Sequence, residues 1–138
     1  MSQPFVEHAN VTVRDIEEAV AFLQTALPDF EVRHQGKSDY RWCHIGTQLS
    51  YIALQEQTLD TPVERSPYRQ IGVNHIAFVV DDIHALMVRM QGAGYRLGEI
   101  NELHPFRRRV YFFDHDGLEW EFVEYLSRDN LKRNDYES

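Results

Sequence analysis

The sequence predicts an α+β fold of two paired βαβββ modules that form a curved mixed sheet around a metal-centred cavity. Three observations support this. VEHANVTVRDIEEAVAFL, beginning at Val6, is echoed by GVNHIAFVVDDIHALMVRM, beginning at Gly72, so that His8, Asp15 and Ile16 recur as His75, Asp82 and Ile83 at an offset of 67 residues. HIGTQLSYIAL around Gly46 is matched by HDGLEWEFVEY around Gly117 at an offset of 71. Each copy also reads as an extended run, a capping acid, an amphipathic segment and further short extended runs. Self-similarity at a fixed period marks a repeated structural unit.

The 138 residues, 43% of them hydrophobic, suffice for one core and therefore one domain over 1–138. Within it the first module spans 5–55, a linker 56–71, the second module 72–125 and a polar tail 126–138 that frays or lies on the surface.

Phe5 to Val13 alternates as a strand, with Val6, His8, Asn10 and Thr12 on one face and Phe5, Glu7, Ala9, Val11 and Val13 on the other. Asp15 is placed to cap a helix, with Glu18 completing a capping-box pattern. Ile16, Ala19, Val20, Leu23, Ala26 and Leu27 form its apolar stripe, and Pro28 with Asp29 ends it. Strands follow near Phe30–His34, Tyr40–Ile45 and Leu49–Leu54, separated by turns at Gly36 and Gly46. The polar, proline-containing EQTLDTPVERSPYRQ segment is the linker, placed to cross the mouth of a site.

In the second copy His75, Ala77 and Val79 share one face, opposite Asn74, Ile76, Phe78 and Val80. Asp82 caps a helix buried through Ile83, Leu86, Met87 and Met90 and closed by Gly92 and Gly94. Strands are expected near Tyr95–Ile100, Arg107–Phe113 and Leu118–Tyr125. A helix covers one face of each sheet and leaves the opposite face free to curve.

Composition narrows the function classes. A formal charge of −8 disfavours a polyanion-binding surface, so no nucleic-acid partner is expected. Arg107, Arg108 and Arg109 are a local exception, serving solubility, neighbouring acids or a substrate carboxylate. Cys43 is the sole cysteine, an inert buried thiol in this pattern, and a reducing, cytoplasmic location follows most simply. No run approaches membrane-spanning length, and the opening residues do not read as a secretion signal.

The chemistry concentrates on matched positions. His8 and His75 occupy equivalent sites on equivalent strands, on the face that avoids the helix, and Glu121 shares that face because Trp120 and Phe122 point the other way. Two imidazoles and one carboxylate suit Fe(II), Mn(II), Zn(II) or another divalent ion and leave positions open for water and substrate. Glu119 and Glu124 read as solvated side chains. Tyr40, Tyr51, Trp42, Tyr111, Phe106 and Phe113 are available to enclose an aromatic or apolar small molecule, although core packing explains such residues equally well.

EHANVTVRD, VNHIAFVVDD and YFFDHDGLEWEF resemble the vicinal oxygen chelate superfamily of glyoxalases, extradiol ring-cleavage dioxygenases and bleomycin-resistance proteins, over about Phe5 to Tyr125. The resemblance implies metal-ligand roles for His8, His75 and Glu121. Metal-dependent glyoxalases resemble one another in carrying a second glutamate in the first module; matching Gly46 to Gly117 puts Ser50 there, a poor ligand or base. The three-ligand dioxygenase branch is thereby favoured, with Fe(II) or Mn(II) ahead of Zn(II) or Ni(II). Tyr111, ten residues before Glu121, resembles a tyrosine of extradiol enzymes that hydrogen-bonds an oxygenated intermediate. His104 is the leading acid–base candidate, and Tyr40, Trp42, Ser50, Arg107 and Arg109 are candidate substrate contacts.

The function expected is a divalent-metal enzyme acting on a small molecule with vicinal oxygens, aromatic or carboxylated, by extradiol-type dioxygenation. A glyoxalase-like lyase or isomerase working through an enediolate and a non-enzymatic binding or resistance protein are the alternatives. A homodimer is expected because cyclic dimers are common and cover sheet edges.

Overall fold

The computed structural model describes residues 3–58 and 64–138, so the linker positions 59–63 lie outside the described residues. The chain divides into two compact units, Met1–Val63 and Glu64–Ser138. The first contains β1 (His8–Val13), α1 (Ile16–Ala26), β2 (Glu31–Lys37), β3 (Arg41–Gly46) and β4 (Tyr51–Glu56). The second contains β5 (His75–Val79), α2 (Ile83–Gly92), β6 (Arg96–Asn101), β7 (Arg107–Phe113), β8 (Glu119–Tyr125) and a short α3 (Asn130–Arg133). Each unit is therefore βαβββ, the repeat predicted from the sequence.

Each unit carries one four-stranded mixed sheet, ordered β1-β4-β3-β2 in the first and β5-β8-β7-β6 in the second. The first strand pairs parallel to the last, and the remaining pairs are antiparallel. Neither sheet closes on itself among the described residues. Alternation dictates which side carries the core. Cys43, Ile45, Ile52 and Leu54 are buried with Phe22, Leu23 and Ala26 of α1, and Val110, Phe112, Trp120 and Phe122 with Leu86 and Met90 of α2. Phe22 joins the α1 stripe, where the sequence pattern had placed Val20. Cys43 is fully buried, and that burial pushes its thiol pKa up, as an inert thiol requires.

The internal repeat extends to the helix starts. Asp15 accepts from Glu18 N at 3.1 Å and Asp82 from Ala85 N at 3.0 Å. A second carboxylate then reaches each helix from the last strand: Glu56 accepts from Ile16 N at 3.0 Å, and Glu124 from Ile83 N at 2.9 Å. An arginine of the neighbouring strand pairs with each, Arg41 with Glu56 at 3.4 Å and Arg108 with Glu124 at 3.7 Å. Negative charge at a helix N-terminus meets the unpaired amides and the helix dipole. Glu124 is thus a structural anchor, and the solvated side chain expected from sequence is not what the fold uses. Arg41 also bonds Glu17, which holds that carboxyl at about 2.

Asp15, Glu17 and Glu56 form the one group of three close metal-ligand-type side chains among the described residues. Their oxygens already serve the first turn of α1 and Arg41. The equivalent Asp82, Glu124 and Arg108 repeat that job around α2. The acidic group is therefore a helix anchor in duplicate.

The polar tail packs back on its own unit. Arg107 donates to the carbonyls of Arg133 and Asp135, and the Arg133 guanidinium lies 4.2 Å from the Tyr125 ring centre. No helix of the described residues is long and apolar enough to cross a membrane. Replacing Glu124 by Ala, which strands the Ile83 amide and leaves Arg108 unpaired, is expected to destabilise the protein by about 1–3 kcal/mol in urea unfolding.

Candidate metal centre

Strand register puts the candidate residues of the second unit together. Glu121 lies opposite Ala77 of β5 and Tyr111 of β7, and His75 lies opposite Glu119. All of these lie on the sheet face away from α2. His75 Nε2 is 3.0 Å from Glu121 Oε2, the Arg109 Nε is 3.9 Å from Glu121 Oε1, and the Tyr111 ring meets the His75 ring edge-on at 5.4 Å. Glu121, 6% exposed, is the one buried charged residue among those described. A buried carboxylate is tolerated only when neighbouring groups compensate its charge.

Burial, the Glu121 charge and a hydrogen bond to Glu121 push the Tyr111 phenol up to about 12. The phenol is therefore a neutral donor throughout the physiological range.

Sequence reasoning missed Tyr68 and Glu119. The Tyr68 hydroxyl donates to Glu119 Oε1 and lies 2.9 Å from His75 Nδ1. That bond to Glu119 is the main reason the Tyr68 phenol is held above its ordinary value. Tyr68 is also the one non-glycine residue with positive φ among those described, at 68°. Its backbone N–H is tied to Asn74 Oδ1 at 2.6 Å, so the strained conformation is held from both ends. Glu119 was legible, since it shares parity with Glu121 two positions on. Tyr68 sits in the proline-containing linker, where nothing local announces a positive φ.

These partners fix the imidazole. The phenol has one proton and gives it to Glu119, so its oxygen accepts from His75 Nδ1–H. Nε2 of the same ring faces a Glu121 carboxylate oxygen at 3.0 Å. Either a proton on Nε2 or a bound cation satisfies that contact. Adjacent ligands at right angles, with bonds of roughly 2.1 Å, stand about 3 Å apart. Metal-binding histidines commonly give their second N–H to an outer partner, the part played here by Tyr68 and Glu119. The pair thus fits a divalent ion.

In the first unit His8 occupies the place of His75. Its ring stacks on Tyr51 at 4.8 Å and 12°, and its Nδ1 contacts Glu7 at 3.0 Å. The ladder corrects the expected match to Glu121. His44 pairs with Ala53 as Tyr111 pairs with Glu121, and Asn10 pairs with Ala53 as Ala77 pairs with Glu121. Ala53, with no donor atom, therefore stands in the equivalent place, while Ser50 precedes β4 in the turn. The two glycines used for the match are different devices. Gly46 permits close approach, since a Cβ there would lie 2.2 Å from the Ser50 carbonyl oxygen, whereas Gly117 adopts φ +78°.

The other candidates are more scattered. His104 is nearly buried, its Nε2 3.0 Å from the Asp135 carbonyl and its Nδ1 accepting from Phe106 N, and Arg107 is held by carbonyls of the tail. Tyr40 lies in the β2–β3 turn, its carbonyl accepting from Ser38 N. Trp42 lies on the same sheet face as His44 and Tyr51. Burial, reinforced by Arg33, His8 and His34, lowers the His44 pKa.

The sequence profile of the Glyoxalase/Bleomycin resistance protein/Dioxygenase superfamily matches residues 6–122. Among solved structures, a glyoxylase/bleomycin resistance protein/dioxygenase domain from Frankia sp. EAN1pec is 25% identical at a TM-score of 0.74, covering 90% of this chain and 99% of that one. The fosfomycin resistance protein FosX of Listeria monocytogenes is 22% identical at 0.69, covering 96% and 99%. The trypanothione-dependent glyoxalase I of Leishmania major is 17% identical at 0.71, covering 88% and 87%. The last two likenesses show the fold alone. No curated protein matches the chain in sequence.

The Tyr111 shift can be read directly. Its folded pKa lies above the ordinary tyrosine value of about 10, so its contribution to stability is complete below that pH and is lost as pH rises through about 12. Ultraviolet titration of metal-free protein should show two late-ionising phenols, Tyr68 and Tyr111, of which one is lost in Tyr111→Phe and ionises earlier in Glu121→Gln.

Proposed function

Since the chain belongs to the glyoxalase/bleomycin resistance protein/dioxygenase superfamily, we propose that it is a divalent-metal-dependent enzyme acting on a small molecule with vicinal oxygens, by extradiol-type ring-opening dioxygenation. The ligands are His75, Glu121 and His8, the last supplied by the same chain or a second copy, in a homodimeric protein. The observation that supports this reading is His75 Nε2 set 3.0 Å from the buried Glu121 carboxylate. Nitrogen and carboxylate donors favour Fe(II) or Mn(II) for this chemistry, with Zn(II) or Ni(II) also accommodated.

Held by His75, Glu121 and His8, a divalent cation would supply Lewis acidity toward the vicinal oxygens of the substrate. Tyr68 and Glu119 hold the His75 ring from its Nδ1 side and leave Nε2 facing Glu121. Tyr111 offers a neutral hydroxyl beside Glu121, able to hydrogen-bond an oxygen on which negative charge develops. Arg109, half-buried at 3.9 Å from Glu121, adds a fixed positive charge that suits an anionic substrate. Sheet register leaves Ala53 where a second carboxylate would serve as ligand or base, which favours this reaction over proton transfer through an enediolate.

Elemental analysis of protein purified anaerobically without chelator should give about one iron or manganese per site. The metal should be lost in His8→Ala, His75→Ala and Glu121→Ala while the fold is retained. With a catechol, the metal-loaded protein should consume O2. Metal-dependent exchange of a substrate proton without O2 consumption would replace this reaction with lyase or isomerase chemistry, and a folded protein that binds no metal would end the metalloenzyme reading.

A further inference from the structure

A row of rings crosses the first sheet on the face opposite α1. His34 meets Trp42 at 5.5 Å, Trp42 meets His44 at 5.2 Å, His44 meets Tyr51 at 4.9 Å, and Tyr51 stacks on His8 at 4.8 Å. The row therefore reaches from β2 through β3 and β4 to β1. Among the described residues no comparable row crosses the second sheet, where His75 meets Tyr68 and Tyr111, because Tyr111 takes the place of His44 and Glu119 that of Tyr51. The row is specific to this half of the repeat, so the fold itself does not demand it.

Trp42 is its centre. One side of the indole lies on the backbone of Gly36, where a Cβ would stand 2.9 Å from Cζ2. His34 and His44 flank the indole at tilts of 47° and 53°, so neither ring covers its face by stacking. Trp42 is partly exposed. A flat ring laid on it would gain stacking area and edge contacts from both imidazoles.

This face carries a guanidinium and three imidazoles, although the chain as a whole is acidic. Arg33 is exposed and holds its guanidinium 4.2 Å from the Tyr51 ring centre, and His34, His44 and His8 add three imidazoles, in a protein of formal charge −8. The acid bonded to the row is Glu7, through His8 at its far end. A guanidinium resting on a ring exchanges that contact readily for a carboxylate, which it binds through two parallel N–H donors.

We infer that the Trp42 face is a binding site for a planar aromatic carboxylate, its ring on Trp42 between His34 and His44 and its carboxylate at Arg33. In making that ligand the substrate, the inference rests on the proposed function; the binding itself does not. His8, at the end of the row, belongs also to the proposed ligand set.

The test is calorimetric titration of the full chain, metal-free and metal-loaded, with 1-naphthoate as probe, and with 1-naphthalenemethanol and cyclohexanecarboxylate as its neutral and non-aromatic counterparts. Naphthoate should bind saturably, one per chain, and more tightly than either counterpart. Trp42→Ala should weaken it about tenfold or more. Arg33→Met, at an exposed position, should weaken naphthoate by a similar factor and leave the neutral probe unchanged. His75→Ala and Glu121→Ala should bind naphthoate as the parent does while losing metal, which separates failure of this site from failure of the metal reading. Absence of saturable binding, equal binding of cyclohexanecarboxylate, or indifference to Arg33→Met would overturn the inference.

Discussion

Glu121 is a carboxylate at 6% exposure, and its charge has to be met by groups that arrive from elsewhere in the chain. His75 comes from the strand beside it, and Tyr111 and Arg109 from the strand on its other side. Tyr68 arrives from the linker, paired with Glu119. None of these is a neighbour of Glu121 in sequence except Glu119. The second sheet must hold its parallel and antiparallel registers together for the centre to exist at all, and the helix on the opposite face fixes those registers through the core.

The two halves of the chain share scaffolding and differ in chemistry. The cap, the last-strand carboxylate and the arginine beside it recur around α1 and α2, because each helix start presents the same unpaired amides. On the opposite face the repeat diverges. One sheet carries a buried acid with its histidine and phenols, and the other carries aromatic rings, imidazoles and the Arg33 guanidinium, with Ala53 at the position of the acid. Duplicated structure with divided roles accounts for both faces.

Much of this was legible in the sequence, for local reasons. His8 and His75, Asp15 and Asp82, and the helical stripes are patterns of period and spacing, and strand parity alone put Glu121 on the histidine face. What failed depended on loop length and on distant partners. β3 closes on β4 with Gly46 opposite Tyr51, whereas β7 closes on β8 with Phe113 opposite Glu119, so the second turn is one residue longer. Aligning Gly46 with Gly117 therefore selected Ser50, and hydrogen-bonded register selects Ala53. Glu124 reads as a solvated acid in the sequence because its partner, the Ile83 amide, lies 41 residues away. Tyr68 was hidden by a linker whose conformation no periodic pattern encodes.

The account depends on a cation between His75 and Glu121. Anomalous diffraction from crystals of the protein loaded with Mn(II), with data taken so that the manganese signal is distinguished, tests this most directly. A peak within bonding distance of His75 Nε2 and a Glu121 oxygen is the predicted result. A fully folded protein with that position empty, or with its manganese among Asp15, Glu17 and Glu56, would contradict it.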